Sequence, residues 1–453
     1  LIIHTITAYS NDTAVIVTPT LSTYYFVEVR IGLPRVDAKY CIPLSANQPH
    51  QHIHVGKTLA SGFPSLTIHT TTVSSNDTAI AVMPTLSAYY FVEARIGLPR
   101  FRVKLALSTS TPTTWVQSAD CVVCLDVPSK SMNFDPADGF EPVLGDDSKY
   151  CVPPVAKTAT LGDPCRYVLG FSQGILGNDT FSLVSPPSTS SPPPSLEINH
   201  FIFGVGKQNM VNFGAHSPIV GQLGLGKGHP SSTLSQLNIS RFSYCLPPSN
   251  SNHQNTTATL EFGPKAGLTT AYYYNTPIVE GPPDNPFDYY INLIEIAINN
   301  ASVYTPSKQR ERGEPGFVID VGATVTLLYK EAYIRVKDAV MEYLSSNFGL
   351  YPVYPSRPVS KPPIYELCYY NQDLESITTL TYPNISFHFE GGAVLQLPES
   401  QAFHNFVDEL QTCLVMIPRT GTEPSRLGAS QQRGWRFTYD ILQSELSFAP
   451  NGC

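Results

Sequence analysis

The chain has 453 residues, too many for one compact core, so two or three domains are expected. Apolar residues make up 42% and charged residues only 14%, with a formal net charge of -8. That balance leaves no basic footprint for nucleic acid, and no apolar run is long enough to span a bilayer.

Abundant Tyr, Phe, Pro and Gly beside so little charge point to a mainly β architecture. The chain opens at Leu1 without a basic segment followed by an apolar one, so a secretion signal is expected to have been removed or to lie upstream. The first clear feature is a near-duplicate: Ile3 through Arg35 recurs at Ile68 through Arg100 with a constant offset of 65 residues. After Arg35 the first copy runs into Lys39-Tyr40-Cys41-Ile42-Pro43, which resembles Lys149-Tyr150-Cys151-Val152-Pro153, so it reads as the second copy with its middle deleted. Two copies do not make a solenoid. Residues 1–65 are therefore expected to be a poorly ordered appendage or an artefact of the gene model.

From residue 86 the sequence reads as strands and turns. Ala88 to Ile96 is aromatic and β-branched and closes at Gly97, and Val103 to Leu107 alternates like a half-buried strand. Ser185 to Ser195 is a Pro/Ser/Thr run expected on the surface. Gly221 to Gly228 nearly spells a phosphate-binding loop, but Gly228 stands where a hydroxyl would hold magnesium, so a glycine-rich turn between core strands is the default. Between Lys330 and Phe348, Tyr333, Val336, Val340 and Leu344 share one helical face.

Two features favour the secretory route. Asn-x-Ser/Thr acceptors occur at Asn11, Asn76, Asn178, Asn238, Asn255, Asn300 and Asn384, the last five being glycosylation candidates. The nine cysteines mostly lie far apart, as disulfide partners do. Cys121 and Cys124 form the one close pair; without a second pair or a His cluster, a disulfide is the better reading than zinc.

The most informative stretch is Phe317-Val318-Ile319-Asp320-Val321-Gly322-Ala323-Thr324. Burying a carboxylate at the end of an apolar strand costs several kcal/mol unless donors surround it, which turn amides and the Thr324 hydroxyl could supply. This stretch resembles the second Asp-Ser/Thr-Gly-Thr/Ser motif of the pepsin-like aspartic proteases, in the plant nepenthesin type. Tyr89-Tyr90-Phe91-Val92, Trp115-Val116-Gln117, Phe134-Asp135-Pro136, Phe242-Ser243-Tyr244-Cys245-Leu246 and Phe387 to Ala393 match the same family in order. The closing run from Phe448 to Cys453 does so too.

The resemblance implies a bilobal, mainly β fold of two pseudo-twofold-related lobes with few short helices, an amino lobe over 66–280 and a carboxyl lobe over 281–453. It implies a catalytic Asp from each lobe, activating a water without metal or cofactor. The aligned first motif is Ser108-Thr109-Ser110-Thr111, so Ser108 takes the place of the first Asp and Asp320 stands alone. Thr109, Gly322 and Thr324 are the candidate substrate-positioning residues. The flap is also altered: Cys165 to Gly174 is short and offers no assignable tyrosine. Cysteines usual in the family are replaced by Ser118 and Val205. By resemblance, Cys368 pairs with Cys413 and Cys245 with Cys453, while Cys121, Cys124, Cys151 and Cys165 staple the amino lobe, leaving Cys41 over.

The expectation is an aspartic endopeptidase relative, inactive or severely impaired. The alternative is a non-catalytic binding protein similar to the plant xylanase inhibitors, and a third reading is the product of a decaying gene. The partner would be a polypeptide substrate or an inhibited enzyme. The chain is expected to be monomeric and extracellular, in apoplast or cell wall, with the vacuole as an alternative.

Overall fold

The computed structural model describes residues 89–450 except 98–99, 137–138, 158–161, 185–195, 247–257, 269–271, 284, 307–315, 354–364, 407–409, 420 and 422; before residue 89 it describes only the backbone of short strands. The Pro/Ser/Thr run at 185–195, Asn255, Cys453 and most of 1–65 thus fall outside the described residues. The chain divides into two compact units, Leu1–Asn76 and Asp77–Cys453. In the first, strands Thr13–Pro19, Tyr24–Ile31 and Lys39–Pro43 form an antiparallel sheet in that order, and Ile6–Thr7 pairs with His69–Thr70. The duplicated aromatic and β-branched run forms a strand in both places, Tyr24–Ile31 and Tyr90–Ile96.

The second unit is built of sheets, as expected. Strands Tyr90–Ile96 and Phe101–Ser108 form a hairpin with Phe91 opposite Ala106. The expected alternation holds at Val103 and Leu105 but ends there, because Ala106, Leu107 and Ser108 are all buried. Here Phe101–Ser108 lies between its hairpin partner and Gly221–Gly224, which runs parallel to it. Gly221–Gly224, the stretch that resembles a phosphate loop, is therefore a core strand. A Cβ on Gly224 would meet backbone atoms of Thr111, Thr113 and Thr114 at 2.7–2.9 Å, so close approach of two main chains requires glycine there.

The carboxyl half repeats this arrangement. Strand Phe317–Ile319 runs parallel to Ser425–Leu427, which pairs antiparallel with Thr326–Tyr329. Helix Lys330–Phe348 follows and buries Tyr333, Val336, Val340 and Leu344, the stripe read from sequence. Between the halves, strands Arg241–Cys245 and Trp435–Asp440 pair antiparallel and carry the chain's closing strands into the large sheet of the amino half, while Phe317–Ile319 and its partners form a separate five-stranded sheet. An aromatic stack lines this seam: Phe242 lies parallel to Tyr439 at 4.6 Å, and Tyr289 packs on Tyr439 at 4.6 Å.

Three disulfides lie among the described residues, Cys121–Cys124, Cys151–Cys165 and Cys368–Cys413. The last is the pair the resemblance implied, and the four amino-lobe cysteines resolve into two bridges. Cys245 is also disulfide-bonded.

Candidate active site

Strands Phe101–Ser108 and Phe317–Ile319, each parallel to a partner of its own, end close to each other at the seam. Each leads into a tight turn, and the turns carry Ser108 and Asp320. Both side chains are buried, with residue exposures of 3% and 6%. A Cβ placed on Gly322 would lie 3.0 Å from Ser108 Oγ and 3.1 Å from Asp320 Oδ1, so the two groups converge on one point. Sequence positions 212 residues apart are thus brought together, with a hydroxyl near a carboxylate.

The Ser108 hydroxyl is already committed. It donates to Thr111 Oγ1 at 2.9 Å and accepts from Thr111 N at 3.2 Å. Thr111 passes the chain to Gln222 Oε1 at 3.3 Å, which also accepts from the Trp115 indole at 3.1 Å. Thr109 is fully buried and ties the lobes together. Its hydroxyl donates to Ile319 O at 3.0 Å and accepts from Val321 N at 3.3 Å. Val321, at the matching place in the carboxyl turn, has no hydroxyl to return the bond.

Asp320 needs donors because it is buried. The Gly322 amide supplies one at 2.8 Å, as the turn reading anticipated. The Thr109 hydroxyl also lies 3.5 Å from Asp320 Oδ1, and Arg426 Nη1 lies 3.2 Å from Asp320 Oδ2. Thr324 instead enters through its carbonyl, which accepts from the Ser430 hydroxyl at 2.7 Å. Arg426 also donates from Nη1 to Ser110 Oγ and from Nη2 to Asp288 Oδ2, the latter at 2.9 Å. Asp288 is 1% exposed and accepts a further bond from Asn285 Nδ2 at 2.7 Å.

Burial pushes the Asp288 carboxyl above the usual carboxylate range; Arg426 opposes this, and Asp320 adds to it. Burial works against charge on Arg426, but Asp288 and Asp320 outweigh it and hold the guanidinium above its ordinary value. Arg419 faces the same cluster, and burial, with repulsion from Arg426, brings it down to about 10.

Sequence reasoning missed Arg426 and Asp288. Their only signal was charge where the pattern wants none: Arg426 inside the short strand Ser425–Leu427, and Asp288 in the aromatic run Phe287-Asp288-Tyr289-Tyr290.

The flap hairpin pairs Arg166–Leu169 with Ser172–Leu183. Its tyrosine, Tyr167, is fully buried and bonds Ser172 Oγ at 2.7 Å, so the phenol serves the core of the lobe. Phe171 occupies the tip, 6.2 Å from the Trp115 ring. Beneath it, Ser110, Thr111, Val168, Phe171, Asn285 and Phe287 line a cavity of about 190 Å³.

Models described as xylanase inhibitor N-terminal and xylanase inhibitor C-terminal match residues 90–264 and 288–450. The chain belongs to the pepsin-like aspartic protease family. Curated relatives agree: it is 28% identical to aspartyl protease AED1 of Arabidopsis thaliana, over 81% of this chain and 72% of that protein. To aspartic proteinase nepenthesin-2 of Nepenthes gracilis it is 27% identical, over 80% of this chain and 78% of that protein. Among solved structures it is similar in fold to edgp (TM-score 0.62, 17% identity, 83% of this chain and 94% of that one). It is also similar to the basic 7S globulin from soybean (TM-score 0.61, 16% identity, 83% and 96%). The two converging turns hold Ser108 in one and Asp320 in the other.

The acceptor asparagines fall in distinct settings. Asn238 and Asn300 are exposed in left-handed turns, at φ of 53° and 66°. Asn384 is half-buried, and Asn178 lies within strand Ser172–Leu183 with its amide on Glu141 at 3.3 Å.

Proposed function

We propose that this chain is a pepsin-like pseudoenzyme, able to receive an extended polypeptide in its cleft but not to cut it. One observation carries the reading: the residue facing Asp320 is Ser108. The family's chemistry needs two carboxylates sharing one proton, so that one activates water while the other polarises the scissile carbonyl. A hydroxyl does not ionise near neutral pH, and this one already donates to Thr111. Removing one acid–base group costs about 10²–10⁴ in rate, and more where two groups act as a unit.

The test is cleavage of denatured haemoglobin at acid pH, with and without pepstatin. No pepstatin-sensitive cleavage is expected. Turnover that pepstatin abolishes would show that another group completes the dyad and would sink the reading.

A second reading, inhibition of a glycan-degrading enzyme, is favoured by the description of the two matching models as halves of a xylanase inhibitor. It is checked by titrating the protein into xylanase assays and looking for saturable loss of activity. Under either reading the protein acts as a secreted monomer in the apoplast or cell wall. Its disulfides support an oxidising setting.

A further inference from the structure

A site that had lost one acid and nothing else would leave Asp320 facing a gap or an apolar wall. The structure instead surrounds it with a second ionic system. The Arg426 guanidinium spans two carboxylates, Asp320 at 3.2 Å and Asp288 at 2.9 Å, and reaches across the seam to the Ser110 hydroxyl. The Arg426 side chain is 14% exposed and that of Asp288 1%. Asn285 fixes Asp288 from below the flap cavity at 2.7 Å. Three of these positions, 110, 288 and 426, lie outside the expected catalytic pair, yet their side chains form one connected network with it.

We propose that Arg426, held by Asp288, is a positioning residue that blocks the retained carboxylate independently of Ser108, so that an acid restored at position 108 alone would not rebuild the dyad. The inference rests on the reading of the chain as catalytically silent and concerns why it is silent. The reason is electrostatic. A working pair keeps one proton because two adjacent carboxylates cannot both ionise. A permanent cation between lobes removes that constraint: with the guanidinium alongside, both acids can carry charge, and neither is left protonated to polarise a carbonyl. Arg426 also occupies Oδ2 of Asp320, while the Gly322 amide occupies Oδ1. An attacking water would have to compete with both.

Three proteins test this: Ser108→Asp alone, Ser108→Asp with Arg426→Leu and Asp288→Asn, and Ser108→Asp with Arg426→Gln and Asp288→Asn. The paired changes remove Arg426 and the Asp288 charge together, so Asp288 is not left as an uncompensated buried anion. The Gln/Asn version keeps a hydrogen-bonding pair in case the apolar one does not fold. The readouts are haemoglobin cleavage at acid pH and the rise in melting temperature on adding pepstatin, which reports cleft binding without turnover.

The single variant is expected to melt cooperatively, show no pepstatin shift and stay within a few-fold of the parent. Either combined variant that folds should cleave about 100-fold faster than the single one or better, with a pepstatin shift. If the single variant cleaves as fast as the combined ones, or if the folded combined variants do no better than the single, Arg426 is a structural ion pair and the proposal fails. If neither combined variant folds, the single variant still decides: activity overturns the proposal and silence supports it. Cleavage by the unaltered chain would refute the silent reading itself, and is seen separately.

Discussion

Removing the Arg426 charge by Arg426→Met should expose how much of the fold depends on the Asp288 pair. Methionine keeps most of the stem volume, so the main loss is electrostatic. Asp288, 1% exposed, would retain Asn285 but lose its counter-ion. Breaking a buried pair from one side costs about 3–5 kcal/mol, because the remaining charge is left without compensation. The cost should depend on pH with a definite sign. Burial already holds the Asp288 carboxyl above its ordinary range, and Arg426 is the leading influence that lowers it. Without Arg426 the folded protein would bind that proton still more tightly than the unfolded chain does.

A group with a raised folded value favours folding at pH below its unfolded value, and that contribution is lost as pH rises through the folded one. Arg426→Met should therefore be most destabilised at neutral pH and recover part of the loss as pH falls toward the carboxylate range. Adding Asp288→Asn should restore much of the stability at neutral pH and remove most of the recovery in acid. Urea unfolding of the parent, both single variants and the double, at neutral and acid pH, gives the coupling directly. Equal losses at both pH values, together with no coupling between the two positions, would refute the reasoning.

Thr109→Val keeps shape but strips the bond between the lobes, leaving Val321 N without its acceptor; a loss of about 1–3 kcal/mol in urea unfolding is expected, and a neutral result would count against the clamp. Graded treatment with a dithiol followed by alkylation and mass spectrometry should label Cys121 and Cys124 first. Cys124 is exposed, whereas Cys165 and Cys413 are buried at 0% and 2%; simultaneous labelling of all three bridges would contradict this. Expression through a secretory pathway and glycopeptide mapping should find Asn238 and Asn300 carrying glycans and Asn178 bare. Full occupancy of Asn178 would show that its strand setting is no barrier.

Much of the fold was legible because its signals are local. The 19-residue helix Lys330–Phe348 follows from apolar residues three and four apart, and Tyr90–Ile96 from an aromatic, β-branched run. The ordered family motifs added what local patterns cannot supply: that the turns after Leu107 and Ile319 meet, and that Cys368 faces Cys413. One reading needed correction where neighbours decide: the alternation of Phe101–Ser108 ends once Gly221–Gly224 joins its other side. Where the sequence offered no assignable flap tyrosine, the structure turns Tyr167 inward, against Ser172 and Gly204.

The sequence by itself determined the β-rich character of the fold and the residue types of the two turns, Ser108-Thr109-Ser110 and Asp320-Val321-Gly322, since each is written in contiguous residues. Only the tertiary structure decided what surrounds Asp320. Arg426 lies 106 residues from Asp320 and 138 from Asp288; it sits in a short strand and Asp288 in a bend, and neither local pattern gives a sign of where the charge points. A charge in a short strand ordinarily reads as solvent-facing. It becomes part of a site only when both lobes close over it, and the cost of burying it then forces an opposite charge to meet it.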